Sequence, residues 1–89
     1  MRITAELSLY PLASENPVAR ITEFIHGLRE QPGLELLTNQ MSTQLRGEMR
    51  DVQQAVNACM LRVMESGDHM VLVAKYLNAD LPILSTPRL

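Results

Sequence analysis

Polar side chains that could bind a small molecule are concentrated in two short segments of the sequence. The first runs from Asn39 to Gly47, as Asn-Gln-Met-Ser-Thr-Gln-Leu-Arg-Gly, and supplies hydroxyls, amides and one guanidinium. The second lies near the start of the chain, where Glu6, Ser8 and Tyr10 occupy alternate positions. Together these groups could hydrogen-bond to a flat heterocycle and stack against it. Solvated strands also carry such residues, so both interpretations remain open at this point.

The segment that carries Glu6, Ser8 and Tyr10 has the alternation of a half-buried strand. Its odd-numbered residues from Ile3 to Leu9 are apolar, and they would face a core while the three polar residues share the opposite face. Pro11 has no N–H to donate to a strand ladder, so we expect the strand to close there.

The rest of the chain divides by periodicity and by turn residues. Asn16 is expected to cap a helix that starts at Pro17. Gly67 is placed to end a second helix in the left-handed conformation. The predicted elements after the first strand are a helix from Pro17 to the turn at Pro32-Gly33, strands at Leu34 to Thr38 and Met41 to Glu48, a helix from about Arg50 to Ser66, and a strand from His69 to Leu77.

This order predicts an α+β fold, the ferredoxin-like βαββαβ sandwich, in which a four-stranded antiparallel sheet carries two helices on one face. Residues 1–80 would form the domain and residues 81–89 a C-terminal tail, packed on a neighbour or partly disordered. The last strand is apolar from Met70 to Ala74, which predicts burial on both faces. A second subunit or a ligand should then cover the face that the helices leave open.

That open face is where the candidate binding residues should converge. The first and third strands are neighbours in this fold, so Ser42 and Gln44 would lie beside Glu6. Thr43 has the core-facing parity, and Asn39 stands at a strand end, where asparagine often forms a turn through its own side chain. The carboxylate of Glu6 needs a partner, which could be a ligand or a basic residue across the strands, Arg46 or Lys75.

Composition excludes several classes of protein. Eight basic and ten acidic residues give a net charge of −2, and the chain has one Phe, two Tyr and no Trp, which argues against nucleic-acid binding. Cys59 is expected to be a buried thiol. His26 and His69 have no partner at metal-ligand or catalytic spacing, so neither a metal site nor an enzyme is expected. Because no long apolar run suggests a membrane span or a secretory signal, the expected location is cytoplasmic.

Two runs together resemble one known family. Ala5 to Leu12, Ala-Glu-Leu-Ser-Leu-Tyr-Pro-Leu, and Gln40 to Gly47, Gln-Met-Ser-Thr-Gln-Leu-Arg-Gly, are similar to the first and third strands of the YkoF-like thiamine-binding domains. The similarity extends over most of residues 2–78. The family often has Gly-Pro before Met-Ser-Thr, whereas this chain has Asn39-Gln40.

The resemblance implies a non-catalytic protein that binds thiamine or its hydroxymethylpyrimidine part, without a cofactor, in thiamine uptake, salvage or homeostasis. It also implies a homodimer or homotetramer formed through sheet faces. The candidate ligand-binding residues are Glu6, Ser8, Tyr10, Asn39, Ser42, Thr43 and Gln44. The alternative is a regulatory or structural oligomerisation module of the same fold that binds another small effector or none, because fold alone does not decide function.

Overall fold

A computed structural model describes all residues, 1–89. In chain order the elements are β1 (Arg2–Leu12), α1 (Pro17–Arg29), β2 (Glu35–Thr38), β3 (Thr43–Glu48), α2 (Met49–Met64) and β4 (His69–Leu77). The strands form one antiparallel sheet in the order β2-β3-β1-β4. This is the ferredoxin-like α+β arrangement, so the predicted fold class is confirmed.

The core lies between the helices and one face of the sheet. In β1 the odd-numbered residues are buried, with Ala5 and Leu7 each only 1% exposed, as the alternation of the sequence predicts. The helices contribute residues at helical spacing, and Cys59 is a buried free thiol as expected. The core cluster comprises Ile3, Ala5, Leu7, Leu9, Phe24, Leu28, Leu45, Val52, Ala55, Val56, Cys59 and Val63.

Backbone hydrogen bonding explains why β1 continues through Pro11, which was expected to end the strand. The N–H of Met49 donates to the carbonyl of Met1 (2.9 Å), so the odd-numbered residues of β1 direct their backbone groups toward β3. The even-numbered residues therefore bond to β4, and the nitrogen of Pro11 points away from that strand. Proline is tolerated where the ladder requires no N–H. The expectation was wrong for this reason, and β1 ends at Leu12.

The sequence predicted that the last strand would be buried on both faces, one of them by a second subunit or a ligand, and the chain alone buries neither face completely. β4 lies at the edge of the sheet, and none of its residues is fully buried. Val71 and Val73 are 46% and 43% exposed on the face that the helices do not cover. In the chain alone the apolar run forms an edge strand with an exposed apolar face, and the covering of that face by a second subunit or a ligand stays a prediction.

The ends of several elements also differ from expectation. The side chain of Asn16 makes no capping hydrogen bond; instead, Ser14 Oγ accepts the N–H of Asn16 (3.1 Å). α2 begins at Met49 and ends at Met64. Gly67 has a φ of +92°, which confirms the left-handed conformation predicted for it.

Residues 79–83, which follow β4, cross the open face of the sheet and are called the strap below. Thr4 Oγ1 donates to the carbonyl of Ala79 (2.7 Å) and accepts the N–H of Leu81 (2.9 Å). Further along the strap Ile83 is buried, at 9% exposure. The strap therefore covers part of the face on which a ligand was expected.

Candidate functional site

The β2–β3 hairpin turns through Gln40 and Met41, and the side chain of Asn39 shapes that turn. Asn39 Oδ1 accepts the N–H groups of Met41 (2.8 Å) and Ser42 (3.1 Å), while the N–H of Asn39 donates to the carbonyl of Ser42 (3.0 Å). Asparagine commonly forms turns by bonding to backbone two residues later. Because the N–H of Met41 is engaged in this way, β3 begins at Thr43 and not at Met41 as predicted.

The turn, the end of β1 and helix α1 border a half-open cavity, called here the hairpin pocket. Its volume is about 260 Å³. α1 supplies an apolar wall, and the strand ends and the turn supply hydroxyls and amides, so the pocket combines the two surfaces that ligand sites usually combine. It is lined by Leu7, Ser8, Leu9, Tyr10, Ile21, Phe24, Ile25, Thr38, Asn39, Gln40, Met41, Ser42 and Thr43.

Five of the candidate residues meet at this pocket: Ser8, Tyr10, Asn39, Ser42 and Thr43. Thr43 faces the core side, as its parity predicted, is 4% exposed and shares a hydrogen bond between hydroxyls with Thr38 (3.0 Å). The pocket lies at the side of the sheet beside α1, and not at the centre of the open face where the sequence analysis placed the ligand.

The other two candidates, Glu6 and Gln44, line a separate hollow of about 280 Å³ on the open face. Glu6 nevertheless reaches the edge of the hairpin pocket, because Ser42 Oγ donates to its Oε2 (2.9 Å). Lys75 Nζ lies 3.5 Å from Glu6 Oε1. The cross-strand pairing considered for Glu6 is thus present with Lys75.

Arg46, the other cation considered for Glu6, is engaged elsewhere. Its Nε lies 2.9 Å from Glu35 Oε1, an ion-pair contact that lacks hydrogen-bond geometry. One terminal nitrogen donates to the carbonyl of Leu81 (2.6 Å) and lies 3.6 Å from Asp80. Arg46 therefore fixes the strap and does not contribute to a ligand pocket.

The residues that sequence reasoning missed are the apolar wall of the pocket. Ile21, Phe24 and Ile25 lie on α1 at the spacing typical of a core stripe, and Phe24 is only 2% exposed. A helical stripe looks the same whether it packs only on the sheet or also borders a cavity. Met41 was predicted to begin a strand, but it lies in the turn and its side chain is 85% exposed.

The hairpin pocket contains no charged side chain. The most clearly perturbed carboxyl lies elsewhere: the Arg20 guanidinium, with the Ser14 hydroxyl, holds the pKa of Asp68 below its usual value. Burial raises the pKa of the Cys59 thiol, and no cluster of His, Cys, Asp and Glu could hold a metal ion. The pocket is therefore suited to a neutral group that forms hydrogen bonds.

The comparison with protein families decides the relationship of the chain. The model of the YKOF-related family matches residues 2–82, which includes β1, the hairpin and the first residues of the strap. The chain belongs to the YkoF-related family. The two segments that carried the resemblance in the sequence are the same two that border the hairpin pocket of this family member.

Several solved structures share the fold of the YkoF-related chain. A hypothetical protein of Methanocaldococcus jannascii is 22% identical, with a TM-score of 0.77 over 89% of this chain and 81% of that one. A Streptococcus pneumoniae protein is 18% identical, with a TM-score of 0.82 over 91% and 90%. A Thermotoga maritima protein for which a role in thiamine biosynthesis or salvage has been suggested is 15% identical, with a TM-score of 0.72 over 98% and 90%.

No curated protein matches the chain. None of its helices has both the length and the apolar character needed to cross a membrane.

Proposed function

We propose that the chain binds thiamine through its hydroxymethylpyrimidine part, or binds that pyrimidine alone, and serves thiamine uptake, salvage or homeostasis. The observation that carries the proposal is the hairpin pocket, a small cavity with an apolar wall and an uncharged polar rim. Membership of the YkoF-related family supports it, and so does the role suggested for the Thermotoga maritima neighbour.

The size and polarity of the pocket favour the pyrimidine as the buried part of the ligand. At about 260 Å³ it falls just below the roughly 300 Å³ at which drug-sized ligand sites begin. One substituted ring is therefore a better fit than a whole thiamine molecule. A phosphate ester would find no cation among the lining residues to balance its charge, so the unphosphorylated forms should bind better.

The thiazolium of thiamine would then project from the mouth of the pocket. Glu6 stands at that mouth through its hydrogen bond with Ser42 (2.9 Å), and its side chain is 41% exposed. A carboxylate in this position would attract a cationic ring at modest strength, because solvent screens half-exposed charges.

The proposal includes binding without turnover. The pocket lining consists of apolar residues, hydroxyls and amides, and the carboxylate that contacts it, Glu6, is also paired with Lys75 (3.5 Å). Asn39, whose amide could orient a ligand, already uses its side-chain oxygen for two backbone N–H groups.

Isothermal titration calorimetry would test this function. We expect saturable binding of thiamine and of 4-amino-5-hydroxymethyl-2-methylpyrimidine, with weaker binding of thiamine monophosphate and none of free amino acids. A failure to bind thiamine and the pyrimidine would overturn the function. Chromatography after long incubation would show whether either compound is converted to a product. Such conversion would overturn the proposal that the protein is not an enzyme.

We further propose that the protein is a homodimer or homotetramer in which a second copy covers the apolar half of the open face. Tyr10 lies opposite Val71, and Ser8 lies opposite Val73, across the β1–β4 pair. Tyr10 and Leu12 are 53% and 49% exposed. The strap covers part of the rest of this face, so these residues form an exposed apolar surface beside it.

Sedimentation velocity would test the assembly. Val71→Lys places a charge on the apolar half of the open face and should shift the protein toward monomer. Leu61→Lys is the matched control, because Leu61 is 59% exposed on α2, far from that face. A wild-type monomer at micromolar concentration would contradict the proposed assembly. If the assembly persists while no ligand binds, the oligomerisation module is the better reading of this family member.

A further inference from the structure

The hairpin pocket exposes one edge of strand β1. β1 pairs with β4 from Thr4 to Leu12 but with β3 only from Arg2 to Leu7. Beyond Leu7 the side of β1 that faces β3 has no strand beside it. That side borders the pocket, since Leu9 and Tyr10 both line it.

The register identifies which backbone groups are free along this edge. Because Met49 bonds to Met1, the odd-numbered residues of β1 point their N–H and C=O groups toward β3. Continuing the register by two residues beyond the pair Leu7 and Thr43 places Met41 opposite Leu9. Met41, however, has its N–H bound to the side chain of Asn39 (2.8 Å).

The backbone N–H and C=O of Leu9 therefore have no strand partner on the β3 side, although Leu9 lies opposite Leu72 on the β4 side. None of the backbone bonds outside the helices and strands involves Leu9, although the residue as a whole is only 8% exposed. Its N–H and C=O form a donor and an acceptor side by side at the wall of a cavity. A backbone pair of this kind, poorly exposed and without a protein partner, is usually matched by water or by a ligand.

We propose that the backbone of Leu9 is the recognition edge of the site and that it binds heterocycles carrying an amino group next to a ring nitrogen. The N–H of Leu9 donates to the ring nitrogen, and its C=O accepts from the amino group. This inference rests on the proposed function, and the hydroxymethylpyrimidine part of thiamine has such an amino–nitrogen edge. The ring takes the place that Met41 would occupy in a longer β3.

The surroundings favour a ring over an added peptide strand in this position. A ring that bonds to Leu9 lies near the plane of the sheet, with one face toward Ile21 and Ile25 of α1, which line the pocket. A strand would have to run on past the turn formed by Gln40 and Met41, and both of these residues line the cavity. The site is therefore selective through backbone geometry and does not require a charged side chain.

Amide hydrogen exchange by NMR tests the inference on the intact protein. In the free protein the amides of Ser8 and Tyr10, which face β4, should be protected, while the amide of Leu9 between them exchanges rapidly. Saturation with 4-amino-5-hydroxymethyl-2-methylpyrimidine should slow the exchange of Leu9 at least about tenfold. Ala74 is the matched control, because by the same register its N–H points outward from the other edge of the sheet and should not respond.

The 4-oxo analogue of the pyrimidine supplies the second arm, because it replaces the amino donor by an acceptor and protonates the adjacent ring nitrogen. In the same orientation both hydrogen bonds to Leu9 are lost, and affinity should fall at least about tenfold. Binding of the amino compound with no change at Leu9, or equal binding of the two compounds, would overturn the inference and leave the proposed function standing. Leu9 protected without any ligand would also overturn it. If no pyrimidine binds at all, function and inference fail together.

Discussion

The strap gives the sharpest prediction about stability, because one hydroxyl holds it at two points. Thr4 is 7% exposed, and its Oγ1 both donates to Ala79 (2.7 Å) and accepts from Leu81 (2.9 Å). Thr4→Val keeps the shape of the side chain but removes both hydrogen bonds. The carbonyl of Ala79 and the N–H of Leu81 are then left against a methyl group.

The expected cost follows from these two bonds. Each contributes about 0.5–1.5 kcal/mol net, so Thr4→Val should lower the free energy of unfolding by about 1–3 kcal/mol. For a domain of 89 residues the total is roughly 4–13 kcal/mol, so the loss is measurable. The strap can also detach by itself, which limits the loss to the free energy that the strap contributes to the folded state.

Urea denaturation and amide exchange would measure the two effects separately. With a slope of about 1 kcal/mol per M, the unfolding midpoint should fall by roughly 1–3 M, and the amide of Leu81 should exchange as fast as an unfolded one. Thr4→Ser is the control: it loses a methyl worth about 0.8 kcal/mol but should keep Leu81 protected. An unchanged midpoint together with a protected Leu81 in Thr4→Val would refute the anchoring role of Thr4.

Three further predictions concern the pocket and the acid stability of the chain. In calorimetry Glu6→Gln should weaken the binding of thiamine about two- to fivefold and leave the binding of the neutral pyrimidine unaffected. Glu65→Gln is the control, and equal losses of affinity for both ligands would contradict a role for the charge of Glu6. Asn39→Ala should lower the free energy of unfolding in urea by about 1–2 kcal/mol and weaken pyrimidine binding. Asn39→Asp keeps the acceptor oxygen and should retain most of the stability and of the affinity. Similar losses in the two variants would show that the hydrogen bonds of the turn contribute to neither. Because the pKa of Asp68 is lowered in the folded state, its contribution to stability is present at neutral pH and is lost as the pH falls through that lowered value. Asp68→Asn should therefore reduce the acid-side slope of stability against pH, and parallel profiles would show that the contact with Arg20 has no effect.

Much of the fold could be predicted because its periodicities are simple. The alternation in β1 placed Ile3, Ala5 and Leu7 in the core, where they are 3%, 1% and 1% exposed. The order of strands and helices along the chain then left few topologies to consider. The elements predicted least well were those whose state depends on partners across the sheet. Pro11 is tolerated because of the direction of its backbone, and Val71 and Val73 of β4 are exposed because neither helix covers their face of the sheet.

The site was partly predictable for a related reason. Ser8, Tyr10 and Ser42 could be brought together by strand parity and by the adjacency of β1 and β3, and they do line one pocket. Phe24 and its neighbours on α1 could not be recognised as a wall, because a core stripe has the same spacing. The strap could not be predicted either, since its contact with Thr4 joins residues that are 75 positions apart in the chain.

One local competition accounts for both the shape and the proposed chemistry of the site. An asparagine that bonds to nearby backbone offers the chain an alternative to the strand ladder, and at Asn39 that alternative takes the N–H of Met41 (2.8 Å). β3 is shortened as a result, so the neighbouring strand β1 keeps an unpaired edge at Leu9. Asn39→Ala frees the N–H of Met41 to pair with Leu9. It should therefore close the pocket and remove the free donor and acceptor of Leu9. Loss of hairpin geometry and loss of binding are thus expected to occur together, although Asn39 itself need not contact the ligand.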